Sequence, residues 1–362
     1  MMPPLTSNLA CERRTPLSDK PFDTLTMGLL HEDCLVQADA ARLLGELRRA
    51  ETVAPLVRYV RECRNYAKVA GFEALARLGD GSACREIRAL VDWPNCPDDW
   101  YWYCCRSVRA AAAVALLSLG DDYGAGYLGE LADKKDDVFF AWFAPAILRL
   151  PDAPPAAAAL KARLTAEALM ESGPGSTRHT NPGTEAMVAE ALGVIGSNEA
   201  KAALRQLATH QSRYVRAQAA MGLAAGAASE GDLALVGQLA AGDATDFVKV
   251  KASLALVKAG KTEHLDFIAA AAKSLKDPLD PATAIESIGR AMPALHATQY
   301  APIILKRLAH EDSYVRQTAV EALGRLGGAS AVGAVKKCLK DPSPRVRLSA
   351  AWFFAAREGG AA

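Results

Sequence analysis

Residues 310–328, HEDSYVRQTAVEALGRLGG, decide the fold. Val315, Ala319, Ala322, Leu323 and Leu326 fall at spacings of four, three, one and three, which is one apolar stripe on a helix of 3.6 residues per turn. Gly327 and Gly328 end that helix, because glycine enters the left-handed conformation without a Cβ clash. The His-Glu pair that opens the stretch raises a second question, whether it marks chemistry or only a turn.

The pattern recurs. DPSPRVRLSAAWFFAA sets Val346 and Arg347 at the phase of Val315 and Arg316, after a short polar link. QSRYVRAQAAMGLAAG does so with Val215 and Arg216, and CCRSVRAAAAVALLSLGD with Val108 and Arg109. Weaker copies begin near Val36, Lys68 and Val250. Other helical patterns, such as AVGAVKKCLKD and APIILKRLAHED, lead into these helices, so the chain reads as about ten helix pairs. Stacked units of this kind form one elongated domain, each burying its apolar face on its neighbours. The expected class is all-α, a solenoid over residues 23–362 behind a polar leader at 1–22 that Pro3, Pro4, Pro16 and Pro21 interrupt.

Composition agrees with a packed helical stack. Of 362 residues 51% are apolar, aromatic residues make only 6%, and the formal net charge is +1. Abundant alanine favours helix and close packing. Near-neutral charge argues against an extended nucleic-acid surface, which needs a basic stripe. Eight cysteines, at 11, 34, 63, 84, 96, 104, 105 and 338, show no recurrent disulfide spacing, and no apolar run reaches membrane-spanning length. The expectation is a cytoplasmic chain with reduced thiols and no membrane contact.

Two segments depart from the repeat. Residues 91–105, VDWPNCPDDWYWYCC, form an aromatic insert carrying Trp93, Trp100, Tyr101, Trp102 and Tyr103. Residues 151–184 are irregular, an alanine-rich helix followed by the turn-forming GPGSTRHTNPG.

The repeated Asp312, Val315, Arg316, Ala319, Ala322, Leu323, Gly324 and Gly327, echoed by Asp341, Val346, Arg347 and Ala350, resemble those of HEAT-repeat proteins, including the HEAT-like units of phycobiliprotein lyases. The resemblance implies a right-handed α-α superhelix whose second helices line the concave face. It also implies structural ladder roles between repeats for Asp312, Arg316, Asp341 and Arg347, with Arg216 and Arg109 as further members.

Reactive readings find little support in the residues. His31-Glu32 and His310-Glu311 resemble the His-Glu pairs of HEAT-like deoxyhypusine hydroxylases, but two pairs at opposite ends of a long open stack do not converge on one metal. Cys96, Cys104 and Cys105 lack a Cys-x-x-Cys spacing for zinc. HEAT-like DNA glycosylases suggest base recognition by Trp100 to Tyr103 beside Asp98 or Asp99, yet that insert is acidic. No phosphate loop is present. Neither catalytic, metal nor cofactor residues are therefore assigned.

Binding is the reading that remains. A curved stack offers a continuous surface, and Trp93, Trp100, Tyr101, Trp102 and Tyr103, flanked by Arg106 and Arg109, form the expected anchor for a protein partner. Plugging a junction between repeats is the competing role for those rings. The functional alternative is a HEAT-like enzyme or carrier for a bulky planar substrate, a nucleobase or a bilin held by Cys104 or Cys105.

Overall fold

The computed structural model describes residues 20–63, 67–92, 102–133, 138–152, 155–172, 182–274, 279–291, 298–327 and 331–358. Among them are twenty-one α-helices and no strand. First and second helices alternate: α1 (Pro21–Gly28) and α2 (Cys34–Leu47), α3 (Val53–Glu62) and α4 (Lys68–Leu78), α5 (Cys84–Val91) and α6 (Trp102–Ser118), α7 (Ala125–Asp133) and α8 (Val138–Leu148). The irregular segment supplies two short helices, α9 (Pro155–Arg163) and α10 (Ala166–Ser172), ahead of α11 (Pro182–Ile195). Regular pairs resume with α12 (Asn198–Leu207) and α13 (Arg213–Leu223), then α14 (Glu230–Gly242) and α15 (Asp246–Lys258). The last three are α16 (Leu265–Ser274) with α17 (Leu279–Ala291), α18 (Ala301–Arg307) with α19 (Ser313–Leu326), and α20 (Val332–Cys338) with α21 (Pro344–Glu358).

The second helices touch in unbroken series: α2, α4, α6, α8, α11, α13, α15, α17, α19 and α21, and α21 then packs on both α1 and α2. The stack is thus a closed ring. In two concentric layers with nearly equal numbers of members, the shorter circumference packs more tightly. Second helices meet closely at every junction while first helices meet their neighbours sparsely, so the second helices are the inner wall. Close approach there uses small residues. A Cβ on Gly193 of α11 would stand 2.8 Å from the Gly222 Cα of α13, and one on Gly289 of α17 the same distance from the Ala322 Cα of α19. One apolar cluster runs from Leu25 to Ala355 through nearly all the pairs.

Turns within the pairs share one bond. The backbone N–H two residues on donates to His31 Nδ1, His210 Nδ1, His310 Nδ1, Asp243 Oδ1 or Asp341 Oδ1, at 2.8 to 3.1 Å. The arginine after the buried valine holds the same turn: Arg216, Arg316 and Arg347 each donate to two of its carbonyls at 2.7 to 2.9 Å. Where the next such turn starts with aspartate, that guanidinium also bridges pairs. Arg216 reaches Asp243 at 2.7 and 2.9 Å, and Arg316 reaches Asp341 twice at 2.8 Å. At α11 the signs exchange, with Glu185 3.5 Å from His210 Nε2. Asp312 works inside its own pair, capping α19 by accepting from the Tyr314 and Val315 N–H groups.

Closure corrects the expectation of an open stack with separated ends. Leu348 of α21 inserts over Gly28 of α1, where any Cβ would lie 2.7 Å from its Cδ2. Around this contact α2, α19 and α21 assemble the densest polar cluster among the described residues. Arg42 clasps Glu321 through two bonds of 2.7 and 3.1 Å, Arg345 reaches Asp39 at 2.5 Å, and Arg325 reaches Glu46 at 3.2 Å. Gln317 and Ser349 complete the shells of Asp39 and Glu321, and Arg49 donates to the Ala355 carbonyl. Three carboxylates face three guanidinium groups.

Burial raises the Glu321 carboxyl, but Arg42, Arg325 and Ser349 outweigh it and hold the carboxyl below the usual carboxylate range. An acid with a depressed folded pKa adds stability that is present above its unfolded value and lost as pH falls through the folded one. Acidification below about pH 4.5 is therefore expected to weaken this junction. Glu321→Ala, which leaves Arg42 partly buried without its main partner, is expected to cost about 3 kcal/mol at pH 7. Amide exchange read by mass spectrometry should speed up in α1, α2 and α21 first. Exchange that stays uniform around the ring in this variant would contradict the assignment.

Candidate binding surface on the inner wall

An inner helix buries three sides, against two neighbours and the first helix behind it. Its remaining side faces the central opening. Seven large apolar residues among the described ones are exposed, and four of them sit on inner helices: Leu35, Trp142, Tyr214 and Tyr314, at 41 to 48% exposure. Three of the four precede the buried valine of a repeat, Val36, Val215 and Val315. The same position before Val248 holds Phe247, so the true phase of α15 starts at Val248, two residues before the copy sought near Val250.

This shared position has a geometric consequence. All inner helices are second members of their pairs and run in the same sense, so their first turns gather on one rim of the opening. Tyr214 and Phe247 meet edge to face there with centroids 5.4 Å apart. Arg213 lies 5.3 and 5.5 Å from the two ring centroids, within cation–π range. Farther round, burial raises the Tyr314 hydroxyl pKa, with Glu286 of α17 and Glu321 adding to it and Arg345 of α21 opposing. Groups from neighbouring inner helices thus converge on one side chain at the rim.

Deeper on the wall the charges are paired across helices. Arg149 meets Glu190 at 2.6 Å and Lys251 meets Glu286 at 3.8 Å. Glu73 of α4 is open to solvent, yet burial by surrounding protein raises its carboxyl pKa and Arg77 only partly offsets this.

Only part of the sequence-derived anchor lies among the described residues. Trp93, Trp100 and Tyr101 lie outside the described residues. Trp102 and Tyr103 open α6 by backbone, which carries the end of the insert to the rim shared by Tyr214 and Tyr314; their side chains, and those of Cys104 and Cys105, are outside the description. Arg109 is committed within the ring: its Nε donates to the Val91 carbonyl at 2.7 Å and its guanidinium stacks 4.2 Å from the Tyr127 centroid. Arg106 is half-buried beside the same tyrosine. Neither is a free flank for an acidic partner.

The His-Glu pairs resolve into architecture. His31 and His310 spend Nδ1 on the turn bond already described. Among the described residues, no group of three His, Cys, Asp or Glu side chains is placed to hold a metal ion. No described helix is long and apolar enough to cross a membrane.

Residues 175–224 and 301–359 match the family model of HEAT repeats. No curated protein matches the chain. Among solved structures, an engineered protein is 19% identical, with 94% of this chain and 99% of that one covered and a TM-score of 0.33. Human deoxyhypusine hydroxylase in complex with glycerol is 16% identical, covering 93% and 96%, with a TM-score of 0.32. The CpcE and CpcF complex of phycocyanin lyase from Nostoc sp. PCC7120 is 16% identical, covering 96% and 98%, with a TM-score of 0.31. None of these likenesses transfers an activity to the chain.

The raised Glu73 pKa makes a signed expectation. An acid whose folded pKa exceeds its unfolded value costs stability once ionised. Glu73→Gln should therefore raise Tm at pH 7, with the gain shrinking toward zero as pH falls below about 4. Calorimetry at the two pH values checks this; a Tm lowered at pH 7 would place Glu73 in a stabilising pair instead.

Proposed function

We propose that this HEAT-repeat chain is a non-catalytic binding protein that holds an extended segment of a protein partner inside its ring. The observation that carries the reading is the set of exposed Leu35, Trp142, Tyr214 and Tyr314 side chains on the inner wall, where four of the seven large exposed apolar residues described are found. Rigid aromatic side chains in a partly desolvated channel are the usual anchors of an interface. The aromatic insert, ending at the same rim by its backbone, extends this surface as the entry anchor.

Ring geometry limits what enters. Helices packed about 9 Å apart, ten to a circle, have their axes at a radius of about 14 Å. Subtracting a helix radius of about 5 Å leaves a bore of about 18 Å, before long side chains narrow it. An extended chain or one helix passes; a folded domain of 100 residues, with a radius of gyration of about 13 Å, does not. The partner then presents a tail or a long loop. We place this encounter in the cytoplasm, in keeping with thiols that lack a disulfide spacing.

The test replaces Tyr214 and Tyr314 together with serine and, separately, Trp100 and Trp102 with alanine. Affinity isolation from native cells followed by mass spectrometry should show partner capture reduced at least tenfold in each variant, with far-UV circular dichroism unchanged. A benzophenone amino acid at position 314 should cross-link to an unstructured stretch of the partner. Undiminished capture in the tyrosine variant, or cross-links confined to a folded surface, would exclude the inner wall as the binding face.

A further inference from the structure

The arginine after the buried valine has the same local role in three pairs. Arg216, Arg316 and Arg347 each spend Nη1 on two carbonyls of their own turn. Nε and Nη2 of the first two then grip the carboxylate that opens the turn of the next pair, Asp243 or Asp341, at 2.7 to 2.9 Å. For Arg347 the next turn is that of the first pair, because α21 packs on α1 and α2. Leu348 fixes the approach by seating on Gly28, three residues before His31. His31 holds the position of Asp243 and Asp341, since its Nδ1 accepts the same turn N–H as their Oδ1 atoms.

Across the seam, then, an arginine is set against a histidine where the repeat elsewhere sets it against an aspartate. With Nδ1 accepting, the neutral imidazole carries its proton on Nε2, so His31 offers a donor where Asp341 offers two acceptors. Other junctions avoid this clash. Between α11 and α13 the histidine is met by a carboxylate, Glu185 at 3.5 Å from His210 Nε2. Between α2 and α4 the pair is neutral, the Cys63 thiol meeting Gln37 Oε1 at 3.7 Å. Among the described residues Nε and Nη2 of Arg347 have no acceptor. Burial lowers the pKa of this half-buried guanidinium, and the carboxylate that opposes the shift, Asp341, is already bound by Arg316. A desolvated charge without its own counter-charge costs stability, and donors converging from two sides specify an anion.

We propose that the seam binds a small carboxylate, whose oxygens accept from Nε and Nη2 of Arg347 and from Nε2 of His31. Bound there, it bridges α21 to the turn between α1 and α2, as Asp243 and Asp341 bridge their junctions, and tightens ring closure. Acetate is the probe and acetamide its neutral isostere. Replacing chloride by acetate at constant ionic strength should raise the Tm of the full-length protein saturably and slow amide exchange in residues 28–33; acetamide should do neither. Two variants keep the turn intact. Arg347→Gln retains a donor for the turn carbonyls, as Gln37 donates to the His31 carbonyl at 2.5 Å, and should weaken acetate binding by roughly tenfold or more through loss of a bidentate charge-assisted contact. His31→Asp retains the turn acceptor, as Asp243 and Asp341 do, and supplies the carboxylate from the chain itself. Its Tm without acetate should exceed that of the parent, and its acetate response should vanish. Excess acetate in the affinity isolation separates two sources of the group: capture falls if an acidic side chain of the partner fills the fork, and is unchanged for a free anion. A response that is not saturable or is matched by acetamide, an acetate response kept by either variant, or a lower Tm in His31→Asp would each overturn the proposal, independently of the inner-wall reading.

Discussion

The packing of the first helix pair on the last is the contact on which the remaining architecture depends. Every other junction in the ring joins units that the chain already links in sequence. This one joins residues some 280 to 306 positions apart, as in Arg42 with Glu321 and Asp39 with Arg345. A flexible chain of that length would lose about 5 kcal/mol of entropy on closing. A solenoid is stiff, and ten pairs each turning about 36° bring the ends together through accumulated curvature. What the seam then adds is selection: apolar insertion of Leu348 over Gly28, and a charge cluster that is satisfied in one register only.

Local sequence carried the helix pairs because each copy states its own rules. The valine is buried, the alanine stripe faces the neighbour, and glycine or aspartate punctuates the turn. The same local logic hid the ring. Nothing in HEDCLVQADAARLLGEL distinguishes a wall open at its end from one covered by another repeat. Asp39, Arg42 and Glu46 read as an ordinary charged face until Gln317, Glu321, Arg325 and Arg345 are seen opposite them. Closure is a sum of small rotations, and no single residue encodes a sum.

The candidate surface was partly legible for a related reason. The insert was conspicuous by composition, yet its described neighbours Arg106 and Arg109 turn out to serve the packing of α6. The inner-wall residues Tyr214, Phe247 and Tyr314 carried a signal that alignment of the copies exposes: a ring placed immediately before the conserved-phase valine, at the start of a second helix. The histidines behaved in the opposite way. His31, His210 and His310 look like chemistry beside acidic residues, but they occupy the position that Asp243 and Asp341 fill in other turns, as acceptors for a backbone N–H. Repetition of a role across unlike residue types is the mark of structure.

A stack of repeats exposes an apolar face at each end, and such complementary faces polymerise head to tail unless capping units cover them. Here neither terminal pair is a polar cap: Leu25 and Leu29 at one end, and Leu348, Trp352 and Phe353 at the other, are buried. Closure covers both ends at once and removes the need for caps. Internal closure and filament growth use the same two faces, so the choice between them rests on effective concentration and geometry. Curvature fixes the first by holding the ends within reach. The seam charges bear on the second, because Arg42, between Asp39, Glu46 and Glu321, is paired on both sides of the junction, and an end-on approach with any other tilt leaves carboxylates or guanidinium groups desolvated without partners. The polar cluster therefore acts less as added stability than as a requirement for one angle, the angle at which a repeat array closes on itself as a ring.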